Sequence, residues 1–471
     1  MADVLIKNGT VIDGTGAGPR PNTSVFICGD RIQGLGEEAE IKARVRGNVR
    51  VIDATGHTVM PGLIDAHTHL TLGEPRSNDE LFHHREQNYA AILAAWNAQK
   101  VLRAGVTSCL DVDGIFWIGP ALKEAIEAGI VEGPRLSVGG FALMTSVGGT
   151  AGRMIPESGS AGYAMVVRTR DEMIQEVRRE IKHGADWIKV HVTGIIPGRS
   201  GERSVWTLEE LRTVVETAHD LDTPVVAHCR NARSARDAAR AGVDVLAHCS
   251  FMDEEALEAV VESGAAILPT FTFLANLIDH GARVGASSSA VDLFQSEIER
   301  SSTMIRRAFD AGVRILSGSE SGFSLTPYGH WHAREMELFV RYLEMTPLEA
   351  IQTATGNGQL AMRRDDVGVL AKGKLADVLV VDGDPTLDVR ILQDRTRLHH
   401  VFKAGTEVDL HRPWPQRRLH PKERVSQYSQ RLLTWELATA WEDGGQPPGG
   451  VPEADEDLLT PALTSSCPCS M

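Results

Sequence analysis

No apolar run in the chain approaches the ~18 residues of a membrane span, so none is expected. Clusters of positive charge are also missing. The longest basic runs are short, such as Gln416-Arg417-Arg418, and the 471 residues carry a formal net charge of −15. A nucleic-acid binder would show a basic face, so neither nucleic acid nor membrane is an expected partner. The first seven residues, Met1-Ala2-Asp3-Val4-Leu5-Ile6-Lys7, lack the basic and long apolar regions of a signal peptide and read as a first strand. Cysteines number six and have no framework spacing. Cys28, Cys109, Cys229 and Cys249 stand in apolar strand-like contexts and read as reduced core thiols of a cytoplasmic protein. Cys467-Pro468-Cys469 has no second Cys/His pair nearby and reads as a tail feature. No Ser-His-Asp order and no Gly-x-Ser-x-Gly elbow offers a serine nucleophile.

What the chain does have is a pair of histidines one residue apart, His67 and His69, closing the apolar stretch Val59-Met60-Pro61-Gly62-Leu63-Ile64-Asp65-Ala66-His67-Thr68-His69. In a strand, residues i and i+2 share a face, so two imidazoles at a strand end form half of a metal site. A bare pair of this kind is more often plain surface or core histidine. Here the other half follows downstream in order.

Residues 1–60 are rich in short β signals (Val4–Ile6, Val11-Ile12, Ser24–Ile27, Val51-Ile52) separated by Asn8-Gly9, Asp13-Gly14 and Gly29-Asp30. They read as half of a small β-sandwich. From 61 to 365, apolar β runs alternate with helical stretches as in a (β/α)8 TIM barrel. Eight strands are expected, at 62–66, 107–112, 135–138, 187–190, 224–227, 243–247, 266–269 and 314–316. Residues 366–410 return to β character at 368–370, 376–381 and 401–405 and would complete the sandwich. A last helix is expected from Pro421 to Trp441 within a C-terminal region 411–442. Residues 443–471 hold little to bury and are expected to be disordered. The length suits a barrel plus an accessory domain.

Catalytic groups of such barrels sit at the C-terminal ends of strands. Those ends carry His67 and His69 (first strand), Lys189 (fourth), His228 (fifth), His248 (sixth) and Glu320, just past the eighth. Five of the six bind metal as they stand. A lysine ammonium repels a cation, but a CO2 adduct turns it into an anionic bidentate ligand able to bridge two ions.

The motifs Pro61–His69, Ala185-Asp186-Trp187-Ile188-Lys189-Val190, Val226-Ala227-His228, Ala247-His248, Gly318-Ser319-Glu320-Ser321-Gly322 and Gly373–Val380 resemble those of the amidohydrolase superfamily over residues 1 to about 410. Gly133-Pro134-Arg135, Ala185–Lys189, Pro327-Tyr328-Gly329 and Arg334-Glu335 resemble the branch of imidazolonepropionase-like enzymes, Xaa-Pro/Xaa-Arg dipeptidases and ochratoxin-type amidases, with hydrolases of urea and thiocarbamate herbicides nearby. The resemblance implies two divalent metals per chain (Zn, or Mn, Co or Fe). His67, His69 and Glu320 would hold the buried one, His228 and His248 the outer one, and N6-carboxylated Lys189 would bridge them. It implies hydroxide attack on a carbonyl, with Glu320 as the proton shuttle, because two cations acidify water and polarise the carbonyl. The sequence departs from the family in two places. Glu320 stands where the family usually has Asp, adding about 1.5 Å of reach. Gly148-Gly149 is followed by Thr150, where the dipeptidase-like branch often has His.

His191 shares the face of Lys189, and His330 lies with His332 in the loop after strand eight. Both are substrate-contact candidates, as are Tyr328 and Arg153, each weighed against a purely structural role. His219, His399 and His400 read as structural. Cys229 and Cys249 should point away from the metals. The strand-eight loop Phe323–His332 is aromatic and has no Lys or Arg, and the loops of strands three and four offer Arg153 and Arg199. This favours a neutral small-molecule substrate: an amide, urea or carbamate cleaved at its C–N bond. The alternatives are a Xaa-Pro/Xaa-Arg-type dipeptidase or N-acyl amino acid amidase, a mononuclear deaminase or dehalogenating hydrolase, and a non-catalytic structural relative. A homo-oligomer is expected.

Overall fold

The computed structural model describes residues 3–46, 48–75, 86–149, 162–198, 201–285, 288–416 and 432–442. Two sheets organise it. The accessory sheet takes β1 (Asp3–Val11), β2 (Arg20–Cys28), β3 (Arg31–Leu35), β4 (Val49–Asp53) and β5 (His57–Pro61) from the N-terminal segment. The barrel follows with β6 (Leu63–Thr68), β7 (Val106–Asp111), β8 (Arg135–Met144), β9 (Ala164–Val166), β10 (Trp187–His191), the hairpin β11 (Thr193–Gly198) and β12 (Gly201–Ser204), β13 (Val225–Cys229), β14 (Val245–His248) and β15 (Ala266–Leu268). The C-terminal segment returns to the first sheet with β16 (Val378–Asp382), β17 (Leu398–Lys403) and β18 (Thr406–Glu407).

The accessory sheet runs β18-β17-β16-β5-β1-β2-β3, with β4 on β1. The two chain ends meet where β16 pairs antiparallel with β5, Val380 opposite Val59. Their apolar faces enter one core, which joins Val4, Ile6, Val25, Ile27 and Val59 to Val378, Val380 and Phe402. Two local expectations fail in this sheet. Asn8-Gly9 is not a turn but a bulge inside the continuous strand β1, with Asn8 in the left-handed region at φ 63°. Residues 368–370 form no strand, although Leu370 still fills the core.

The barrel sheet is parallel, in the order β6-β7-β8-β10-β13-β14-β15, with β9 on β8. Strands such as Leu63–Thr68 and Val225–Cys229 are buried throughout, as strands covered on both faces must be. β8 runs six residues beyond its expected end at Val138. Gly139 marks a close approach within it: a Cβ there would stand 1.9 Å from the Val112 carbonyl oxygen. The eighth strand is the least regular. It makes one parallel bridge, Ile315 to Ile267, and closes onto β6 through the Ala66 amide, which donates to the Ser317 carbonyl at 2.9 Å. Side chains take over where the ladder stops. The Ser319 amide and hydroxyl donate to Asp65 Oδ1 and Oδ2 at 3.0 and 2.5 Å.

Candidate metal centre

Each candidate ligand sits on a strand end for a reason legible in the backbone. His228 lies opposite His191 across β10 and β13, and His248 lies opposite Cys229 across β13 and β14. Alternation sends His191 and His228 inward and Cys229 outward, whereas His248, in register with Cys229, reaches the mouth because its backbone turns left-handed at φ 67°. Cys229 and Cys249 are indeed packed in the layer between barrel and helices with Leu211, Val214 and Ala235. Glu320 donates its amide to the His67 carbonyl at 2.9 Å, and its neighbour Gly318 lets the chain pass His67, whose Cβ would stand 2.6 Å from an added one.

His67, His248 and Glu320 bring ligand atoms within 4.8 Å of one another, all buried. Around them, the His67 ring centroid is 5.1 Å from that of His69, and the His228 and His248 rings are 4.5 Å apart. His69 Nε2 stands 3.8 Å from Glu320 Oε1. Lys189 is buried in β10, and its charge acts on His67, His191, His228 and His248 together. Backbone strain concentrates here: His248, Cys249, Thr270 and Glu320 hold φ of 67°, 51°, 53° and 55°. Such conformations cost ~1–3 kcal/mol each and persist only where the surroundings impose them.

Burial keeps His67, His228 and His248 well below the usual imidazole pKa, and a neutral ring is the form that ligates metal. Burial also opposes charge on His69, but Asp113 and Glu320 outweigh it and raise its pKa to about 10. Burial works against ionised Glu320 as well, yet His67, His69 and Arg230 hold it well below the carboxylate range.

The residues fit divalent cations. His67 Nδ1 and Glu320 Oε2 are buried without a hydrogen-bond partner among the described residues. The hydrogen-bond network also aims the rings. Thr270 Oγ1 donates to the Pro269 carbonyl at 2.7 Å, so it accepts from His248 Nδ1, leaving the Nε2 lone pair facing His228 Nδ1 at 3.0 Å. His228 Nε2 in turn lies 2.9 Å from Glu202 Oε2. With the His228 proton on that side, two lone pairs face each other, an arrangement a cation resolves.

Three participants escaped the sequence reading. Asp113 places Oδ1 2.7 Å from His69 Nδ1 and Oδ2 3.1 Å from His191 Nε2. The alternation Asp111-Val112-Asp113 at a strand end repeats the logic of His67 and His69 and could have found it. Glu202, from the β11–β12 hairpin, carried no signal. Arg230, two residues past His228, is 12% exposed and ion-paired with Glu297 at 2.8 Å.

The other candidates are distributed differently. His191 stacks on His228, ring centroids 4.9 Å apart, and joins the centre. Tyr328 is fully buried, donates its hydroxyl to the His69 carbonyl at 2.5 Å and accepts from the Gly73 amide. It therefore braces the backbone of a ligand. His330 Nδ1 accepts from the Trp435 amide at 3.3 Å, and its ring packs on Trp414, which ties it to the C-terminal segment. His332 donates Nδ1 to Asp65 at 2.7 Å and accepts at Nε2 from the Gly329 amide. Arg153 and Arg199 lie outside the described residues, as does Pro421–Arg431 of the expected last helix, of which Trp435–Glu442 is helical.

A parallel barrel with clustered imidazoles and a carboxylate at its C-terminal mouth defines a class of metal-dependent hydrolases. The sequence profile of the Amidohydrolase family matches residues 58–408, and the chain belongs to that family. It is 29% identical over 426 residues to ochratoxinase of Aspergillus niger, covering 85% of each chain. The crystal structure of a Xaa-Pro dipeptidase with bound methionine superposes with a TM-score of 0.74 at 29% identity, covering 86% of this chain and all of the other. Molinate hydrolase, at 24% identity, shares the fold with a TM-score of 0.71 over 87% and 95% of the two chains.

Proposed function

We propose that the chain cleaves the C–N bond of a neutral amide, urea or carbamate. The observation that carries this reading is the convergence of His67, His69, His228, His248 and Glu320 around buried Lys189 at the barrel mouth. His67, His69 and Glu320 would hold a buried divalent ion, Zn or one of Mn, Co and Fe. His228 and His248 would hold a second, and carboxylated Lys189 would bridge the two. When bound, the ions acidify water and polarise a carbonyl. Conversion of Lys189 to a carbamate reverses the sign of a charge that otherwise opposes the cations. Glu320 takes a proton from the attacking water at its unpartnered Oε2 and returns it to the leaving nitrogen. Asp113 holds His69 and His191, and Glu202 holds His228.

The described mouth carries Glu320, Glu202 and Asp113, while Arg230 is engaged by Glu297. This balance suits a neutral substrate over an anionic one. A dipeptide is the second reading. It is favoured by the likeness to the Xaa-Pro dipeptidase and by Arg230, which could exchange Glu297 for a substrate carboxylate. We carry a cytoplasmic location and a homo-oligomer into the same reading. The free thiols of Cys28, Cys109, Cys229 and Cys249 suit a reducing compartment, and size-exclusion chromatography with light scattering checks the assembly.

The test is a panel of N-acyl amino acids, dipeptides, arylureas and thiocarbamates offered to metal-replete protein. A neutral arylurea or anilide should show a kcat/KM above that of any dipeptide. The reverse order, with dipeptide binding lost in Arg230→Ala, would establish the second reading. Activity that survives complete metal removal would refute both.

A further inference from the structure

The accessory sheet carries a second group of metal-competent side chains, on a different sheet from the barrel ligands. His57 opens β5, Asp382 closes β16 and His399 lies in β17, three neighbouring strands of one sheet. Their ligand atoms all lie within 4.8 Å of one another. His57 and Asp382 are direct cross-strand partners. His399 reaches them through a bulge: Val380 faces His400 and Val381 faces Leu398, so His399 is the extra residue. Bulges of this kind re-aim a side chain.

The His57 ring is oriented for a ligand. His57 Nδ1 lies 3.0 Å from the Thr55 carbonyl oxygen, which can only accept, so Nδ1 carries the proton and Nε2 keeps its lone pair. A carbonyl behind a metal-binding imidazole is the usual orienting partner. The His57 and His399 rings meet edge to face at 4.4 Å. The Asp382 side chain is half exposed, and its contact with Arg397 is long, at 3.4 Å.

We propose that His57, Asp382 and His399 form a surface site for a borderline divalent transition ion such as Zn2+, Ni2+ or Cu2+. Two imidazoles and one carboxylate match those ions. Mg2+ and Ca2+, which take oxygen ligands, do not fit. Three protein ligands leave the remaining coordination positions to water. Such an ion ties β5, from the front of the chain, to β16 and β17, from its back. It requires nothing of the barrel chemistry and stands or falls independently of the proposed hydrolysis.

The experiment uses full-length protein with its barrel metals bound, desalted, then titrated with Cu2+ under electron paramagnetic resonance and with Zn2+ under calorimetry. Wild type should take one additional ion per chain with a two-nitrogen hyperfine pattern, and added Zn2+ should raise its Tm. His57→Ala/His399→Ala should lose the additional ion and the Tm response, while keeping its barrel metal content and its Tm without added ion. Asp382→Asn should retain the two-nitrogen pattern with weaker binding. The proposal is overturned if wild type takes up no additional ion, or if the ion persists in the double variant.

Discussion

Asp113 reaches two histidines with its two oxygens, and the barrel rim depends on it more than its sequence position suggests. Its contact with His69 Nδ1 leaves His69 Nε2 turned toward Glu320. Removing an orienting carboxylate of this type costs roughly 10–100-fold in metal affinity or activity. Asp113→Asn should therefore weaken metal binding by about that factor, read by competition with a chromogenic chelator, with the fold intact by circular dichroism. Glu320→Gln separates shuttle from ligand. If Glu320 moves the proton, kcat should fall about 10²–10⁴-fold with KM little changed. An unaffected kcat would pass the role to another group, with His191 the next candidate. If Lys189 bridges two ions as proposed, Lys189→Ala should lower the bound metal to one ion per chain, with partial rescue by short carboxylic acids. A single ion bound to wild type would place the protein in the mononuclear class.

Between elements, two buried carboxylates act as fasteners. Glu335 accepts from the Phe271 and Thr272 amides at 2.8 Å each and from the Thr272 hydroxyl at 2.6 Å. It thereby holds the start of the helix Phe271–His280, next to the Thr270 that steers His248. Burial lifts its pKa to about 8 against an ordinary 4.5, the hydrogen bonds only partly offsetting it. The folded chain then binds this proton more tightly than the unfolded one. Stability from this group is present below pH ~4.5 and declines as pH rises toward 8. Urea midpoints measured from pH 5 to 8 should fall more steeply in wild type than in Glu335→Gln. The other fastener is Asp377, which accepts from Arg135 Nη1 at 2.5 Å and from the Ala404 amide at 2.7 Å. It joins the foot of the barrel to the accessory sheet. Asp377→Ala leaves a part-buried guanidinium with Ser108 as its remaining partner and should cost ~1–3 kcal/mol in chemical denaturation.

These fasteners also show what could be read in advance. Apolar runs set between helical stretches located the seven paired barrel strands and the single bridge at Ile315, and the histidines at strand ends pointed to the mouth. Arg135 and Asp377 were visible as separate motifs, but the bond between them is a property of the folded chain. Glu202 and Arg230 come from a hairpin and a strand exit, where no period constrains the side chain. Asn8-Gly9 misled for the opposite reason. Its local preference for a turn was overridden by a bulge in β1.

For the whole molecule, metal and stability are one equilibrium. Ions that bind only the folded chain stabilise it by ~2.7 kcal/mol at 100 times their Kd. Chelation should abolish activity and lower Tm together, and His67→Ala should show both losses without chelator. Among the described residues no helix is long and apolar enough to cross a membrane.

The pairing of β5 with β16 has a consequence for how the protein is made. A ribosome delivers the N-terminal strands first and their partner only after the entire barrel has emerged. Until then β5 is an open edge, with Thr58, Val59 and Met60 presenting the backbone groups that Val381, Val380 and Leu379 later occupy. Open edges recruit other chains. A nascent or truncated chain that ends before Val378 should be captured by chaperones or precipitate, while the same chain supplied with residues 366–410 as a separate peptide should be recovered soluble. The last forty residues of the matched family region thus serve as a late-arriving guard for the first sixty.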